Sequence, residues 1–127
     1  MNPLTLALVA KAESALATAE RELAVRVRPN YDAVCHHAGM CVERYLKARL
    51  MEDRIPFPEY TRHLVVLLEL CLEQDARWDV FRSHLRAITT FEFQAADPEY
   101  VTTFEAAQES LELCMAFRRA ARAQLGF

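Results

Sequence analysis

Arginines and histidines in this chain stand at spacings that acid–base chemistry on a phosphate would use. Arg77 and His84 have six residues between them, so on a single helix they lie about two turns apart on one face. A histidine can serve as general acid or base, and a guanidinium can stabilise negative charge that develops on a phosphate. In a dimer, two such pairs would face one cleft. The same residues also read as a first-turn arginine and a solvent-facing histidine. Arg62 and His63 open a different helix, where cationic side chains and free backbone N–H groups favour a phosphate, with Arg54 nearby in sequence. His36, His37 and Cys41 share another helix. His37 and Cys41 are at i and i+4, but two ligands make an incomplete zinc site, so no metal is expected. His37 reads as a structural histidine packed inside a helical bundle. Glu43 and Lys47, in a mixed-charge run with Arg44 and Arg49, form an i,i+4 pair on a solvated or structural face.

These residues must be positioned by helices, because the apolar periodicity is helical throughout. Val9, Ala12, Leu16, Ala19 and Leu23 draw one stripe on a first helix, capped by Asn2 with Pro3 in its first turn. Asn30 caps a second helix. Its apolar face includes Tyr31, Val34, Cys35, Ala38, Cys41, Val42, Tyr45 and Leu46, and it stops before Pro56 and Pro58. Thr61 is the expected cap of a short third helix with Leu64, Leu67, Leu68, Cys71 and Leu72, broken at Glu73–Asp75. A fourth carries Trp78, Phe81, Leu85 and Ile88, and its β-branched and aromatic stretch from Thr89 to Phe93 is expected to fray. Phe91 and Phe93 cannot both face inward. Asp97-Pro98-Glu99 is the expected start of the last helix, which buries Phe104, Ala107, Leu111, Cys114, Phe117 or Arg118, and Ala121. Its basic end, Arg118, Arg119 and Arg122, complements the helix dipole. The expected fold is all-α: an antiparallel four-helix up-and-down bundle with one additional short helix, a single domain over residues 1–127.

Composition narrows the function classes. Only two of the 127 residues are glycine, Gly39 and Gly126, and neither lies in a phosphate-cradling loop motif. Gly39 falls in mid-helix, where it costs about 1 kcal/mol against alanine and would let another helix backbone come close. The formal net charge of −3 argues against strong autonomous RNA binding. No apolar run is long enough to span a membrane, and no signal peptide is expected. Four cysteines without a CxxC pair read as reduced thiols of a cytoplasmic protein.

The order of motifs resembles the HEPN domain (higher eukaryotes and prokaryotes nucleotide-binding). Lys11-Ala12-Glu13 through Ala19-Glu20 is similar to the family's opening helix. Tyr31-Asp32-Ala33-Val34-Cys35-His36-His37-Ala38, followed by Val42-Glu43-Arg44-Tyr45-Leu46-Lys47-Ala48, resembles its "FHAQQAAEKALKA"-like helix. Thr61-Arg62-His63-Leu64 resembles "THDL", and Ala96-Asp97-Pro98-Glu99-Tyr100 leads into a final long helix. The family's paired glutamines are replaced by Gly39 and Met40, the acidic residue of "THDL" is lost, and the arginine of "RYP" has no equivalent. Ribonucleases of the family use an arginine and a histidine with four to six residues between them. Arg77 and His84 have that spacing but fall one helix too early.

The resemblance implies a homodimeric nucleotide- or RNA-binding module of prokaryotic type, and the departures from it, the missing arginine and the early Arg77–His84 pair, point to a module without its own catalytic motif. It implies pairing with a minimal nucleotidyltransferase in a toxin–antitoxin-type pair, with His37, Lys47, Arg62 and His63 as binding candidates and no cofactor. Two alternatives stay open: a metal-independent endoribonuclease toxin using Arg77 and His84, and a purely structural dimerising protein.

Overall fold

Helices tend to begin where a side chain can take the first free backbone N–H groups. A computed structural model describes residues 1–127. Asn2 Oδ1 accepts from Leu4 N at 2.8 Å and opens α1, Pro3–Leu23. Asn30 Oδ1 accepts from Ala33 N at 3.0 Å and opens α2, Tyr31–Glu52. The short α3, Leu64–Leu72, has His63 at its N-cap and no side-chain cap bond. Thr61, the expected cap, instead accepts from His63 N at 3.4 Å, which leaves the first turn of α3 uncapped.

Asp75 then caps a 3-10 segment, Ala76–Phe81, that runs into α4, Arg82–Ala96. The fourth element is therefore two helices of different pitch. Arg77 and His84 lie on separate elements, which removes the shared α-helical face expected from their spacing. Helix α4 does not fray at Thr89–Phe93. The Thr89 and Thr90 hydroxyls donate to Leu85 O and Arg86 O, and the helix continues to Ala96.

The last helix, α5, spans Phe104–Leu125 and is capped by Thr103, whose hydroxyl accepts from Ala106 N at 3.1 Å. Asp97 does not open it. The Asp97 side chain accepts from Glu99 N at 2.9 Å and its carbonyl accepts from Tyr100 N at 3.1 Å, so Asp97-Pro98-Glu99 is a turn that closes α4. Phe104, at the true start of the helix, is correspondingly exposed rather than buried. At the other end Gly126 takes a left-handed conformation, φ 89°, and caps α5.

Long-range contacts set the directions. Asn2 N donates to Glu52, so α1 and α2 run antiparallel. Thr102 meets Asp32 and Arg49 donates to Gln124 O, so α5 runs alongside α2 in the same sense. Trp78 shares a depression with Asp53 at the end of α2, whereas Arg62 joins Glu92 to Glu43 near its middle, so α4 runs against α2. The four long helices alternate up and down, and α3 is the additional short one. Helix α2 is the centre of the bundle: Val34, Cys35, Ala38, Cys41, Val42, Tyr45, Leu46, Ala48 and Leu50 are all fully buried. Leu67 and Leu68 of α3, Leu85 and Ile88 of α4, and Cys114 and Phe117 of α5 close over it. Trp78 and Phe81 pack edge-on against Phe117. No helix is long and apolar enough to cross a membrane. The four cysteines are buried free thiols.

Candidate functional site

One cleft brings together elements distant in sequence. It encloses about 570 Å³ between α2, the segment before α3, and the C-terminal half of α4, and His36, Arg62, His63, Glu92, Tyr60 and Phe93 line it. Arg62 joins the three. Its Nε donates to Glu43 Oε1 at 2.8 Å and its Nη2 to Glu92 Oε2 at 2.9 Å, yet 47% of the side chain remains exposed. Beneath it Lys47 Nζ donates to Glu43 Oε2 at 3.1 Å and to Glu59 O at 3.0 Å. The side chains thus form a ladder, Lys47–Glu43–Arg62–Glu92, from the core outward.

The sequence leaves Glu43 and Lys47 on a solvated or structural face. Both are buried, so the pair lies at the edge of the core and not on a solvated face. A buried ion pair needs its remaining donors and acceptors satisfied. Arg62 and the Glu59 carbonyl supply those partners here.

Gly39 explains how the outer carboxylate fits. A Cβ built on Gly39 would overlap the carboxyl group of Glu92. The nearest atoms to the missing side chain therefore belong to a carboxyl group, where the sequence suggests the backbone of another helix. Burial pushes the Glu92 carboxyl up to about 7; Arg62 pulls it back and the nearby Glu43 raises it. Partial burial, and then the charge of Arg62, lower His36 below the usual imidazole value.

The candidates read from sequence separate here. Arg62 and His63 line the cleft, and Lys47 supports it from below. His37 is not among the lining residues. Its ring meets His36 edge-on at 5.2 Å, and its Nδ1 is buried without a partner. Arg54 lies in a separate depression with Asn2, Ile55 and Phe57. Arg77 is on the 3-10 segment, held by both Asp75 oxygens at 2.9 and 2.8 Å, in a depression beside the C-terminal end of α5. His84 sits in the first turn of α4 against the Phe81 ring.

Glu92 and Tyr60 line the cleft without any local sequence signal that marks them as site residues. From the sequence, Phe93 is only one of two phenylalanines that cannot both point inward. It is 69% exposed, while Phe91 is half-buried. Tyr60 is 89% exposed. The mid-helix glycine is the one available pointer to Glu92.

A second charged cluster lies across α1, α2 and α5. Arg118 donates twice to Glu13, at 2.7 and 2.5 Å, and the Tyr45 hydroxyl donates to the same carboxylate at 2.5 Å. Arg122 donates to Tyr45 Oη at 3.2 Å and lies 3.6 Å from Glu13. Two of the three arginines at the end of α5 therefore act on a partner in α1.

The model of the HEPN domain matches residues 5–124. The chain belongs to the HEPN domain family. No curated protein and no solved structure gives a significant match. The match runs from α1 into the last turn of α5, so the cleft lies within the HEPN domain. As a HEPN domain the chain is a nucleotide- or RNA-related module.

Proposed function

We propose that this HEPN domain binds a nucleotide or a single RNA strand in the cleft beside Arg62, as a binding module without a catalytic motif of its own. One observation carries the reading: a half-exposed guanidinium opens onto a cleft between two exposed aromatic side chains from different elements, Tyr60 before α3 and Phe93 on α4. Arg62 takes a phosphate oxygen. Tyr60 and Phe93 offer ring faces on which bases stack, an interaction worth about 1–3 kcal/mol per base. His36 and His63 supply ring nitrogens to sugar hydroxyls or base edges. Lys47 acts by holding Glu43, and through it Arg62.

In this reading the chain works as a homodimer beside a minimal nucleotidyltransferase, in a toxin–antitoxin-type pair inside a prokaryotic cell. Family membership supports that placement. Light scattering tests the dimer, and co-purification with a nucleotidyltransferase encoded next to it tests the pairing.

The binding test uses fluorescence anisotropy with a short labelled oligouridylate and, as competitor, adenosine monophosphate. Binding is expected, with at least a roughly tenfold loss in Tyr60→Ala combined with Phe93→Ala, as the stacking range implies. No binding of either probe overturns the reading. Degradation of RNA in the presence of a chelator, lost in Arg77→Ala or His84→Ala, would replace it with a ribonuclease.

A further inference from the structure

We infer that Glu92 is a displaceable counter-ion of Arg62: an anion entering the cleft takes the Arg62 Nη2 donor from Glu92, and Glu92 accepts a proton from solvent as it lets go. The inference rests on the cleft being the anion site proposed above and adds how that site is regulated.

The two carboxylates that share Arg62 are not equivalent. Glu43 is saturated, one oxygen on Arg62 and the other on Lys47, and it is buried. Glu92 makes one bond, through Oε2 to Arg62, while Oε1 has no hydrogen-bond partner in the protein. Glu92 also lines the cleft, which Glu43 does not. An incoming anion therefore meets Glu92 as the weaker competitor for the exposed guanidinium.

Charge gives the same answer. With every group ionised, Lys47, Glu43, Arg62 and Glu92 sum to zero. A phosphate placed on Arg62 would then sit beside an ionised carboxylate in a partly desolvated cleft, where like charges repel more strongly than in water. Protonating Glu92 leaves the ladder with one net positive charge and removes that repulsion. The neutral carboxyl has a place to rest, because Gly39 presents no Cβ against it.

The groups that face Glu92 can be named element by element. From α2 come His36, Glu43 and the Cys35 thiol, which burial pushes up to about 11 so that it stays protonated. From the segment before α3 come Arg62 and His63, and from α4 itself Thr89 and Phe93. The Glu92 carboxyl, held at about 7, is poised to change charge in the neutral range. His63 and His36 are the imidazoles of the cleft, so the test must separate them from Glu92.

The labelled oligouridylate is titrated between about pH 6 and pH 8 against wild type, Glu92→Gln, His63→Gln and His36→Gln. Uptake of a proton by a group held at about 7 weakens wild-type binding about tenfold from pH 6 to pH 8. Glu92→Gln should bind about tenfold more tightly than wild type at pH 8 and lose the slope. The two histidine variants should bind more weakly but keep it. Calorimetry of wild type at about pH 8, in two buffers of different ionisation enthalpy, should register uptake of close to one proton, which keeps the test usable if Glu92→Gln does not fold. Binding without a pH slope or proton uptake overturns this inference alone. A slope that survives in Glu92→Gln and vanishes in His63→Gln or His36→Gln also overturns it. No binding at any pH overturns both this inference and the reading it rests on.

Discussion

Two charged clusters cross the bundle, and they are built in opposite senses. Across α1, α2 and α5 one carboxylate, Glu13, is shared among Arg118, Arg122 and the Tyr45 hydroxyl. Across α2, α4 and the segment before α3 one guanidinium, Arg62, is shared between two carboxylates. The first cluster has donors in excess, and the Arg118 hydrogen bonds hold Glu13 below the ordinary carboxylate value. In the second, two carboxylates meet at the one Arg62 guanidinium, and burial holds Glu92 above the ordinary value. Glu13 and Arg118 satisfy each other and, with Tyr45, tie three helices together. Arg62 keeps half its surface toward a cleft and holds a carboxylate that it can exchange. An ion cluster with surplus donors is a clip; one with a surplus carboxylate beside a cleft can trade that carboxylate for a ligand.

The largest effect should come from the root of the second cluster. Glu43→Ala leaves the Lys47 ammonium buried with only the Glu59 carbonyl, and unpaired buried charges cost about 3–5 kcal/mol. Urea unfolding should register a loss of that order. Replacing both residues, Glu43→Leu with Lys47→Met, should recover most of it, because an apolar pair of similar volume leaves no stranded charge. If Glu43→Ala costs less than Glu13→Ala, the ladder is not anchored in the core and the contrast between the clusters fails.

The second effect is a pH dependence with opposite signs on the two sides. The folded-state Glu92 carboxyl lies at about 7 against an ordinary 4.5, so between those values the folded chain holds more protons than the unfolded one. Stability from this group therefore falls as pH rises through that window, by a loss on the order of 3 kcal/mol. Glu13 is lowered, so its contribution is present above the ordinary carboxylate value and is lost as pH falls through its folded value. Glu92→Gln should flatten the decline from about pH 5 to pH 7 in thermal unfolding and leave the acid limb in place. Glu13→Gln should do the reverse. A decline that persists unchanged in Glu92→Gln would assign the window to another group.

The clip itself should be worth less. Arg118 and Glu13 are exposed over 30% and 32% of their side-chain surface, so solvent screens the pair. Arg118→Ala should cost about 1–2 kcal/mol, counting two charge-assisted bonds discounted for exposure. Affinity for the oligouridylate should not change. A loss of affinity in this variant would mean the two clusters are coupled through α2.

The scaffold is more legible in the sequence than the site. Asn2 and Asn30 mark α1 and α2 because each is followed at once by an apolar helical pattern. Asp97 carries a similar signal yet starts no helix. A short acidic side chain can serve a tight turn as readily as a helix N-terminus, and Thr103 beyond it does the capping. Arg62, His63 and Lys47 stand out because cations at a helix start or in an i,i+4 pair announce themselves within a few residues. Glu92 does not, because its partner Arg62 is 30 positions away and nothing local distinguishes it from a solvated glutamate. Arg77 and His84 show the converse error. Their spacing implies a shared face only on one continuous α-helix, and the change from 3-10 to α pitch at Arg82 removes that condition.

Gly39→Ala gives the smallest expected change in stability and the sharpest test of the contrast. Alanine in mid-helix gains about 1 kcal/mol over glycine. Its methyl group takes the place of the Glu92 carboxyl, which is the end of a flexible side chain and can swing away. The move breaks the Arg62–Glu92 bond while returning a buried carboxylate to water, so these terms offset and net stability should shift by less than about 1 kcal/mol. The functional consequence should be larger. With Glu92 displaced, Arg62 is free of its weaker competitor, the pH slope of oligouridylate binding should shrink, and affinity at about pH 8 should rise toward that of Glu92→Gln. A loss of several kcal/mol would instead mean that Gly39 serves backbone packing, as its place in the sequence suggests. An unchanged slope would mean that Glu92 keeps its hold on Arg62 without the room that Gly39 provides, and the surplus carboxylate would then be part of a clip rather than part of the site.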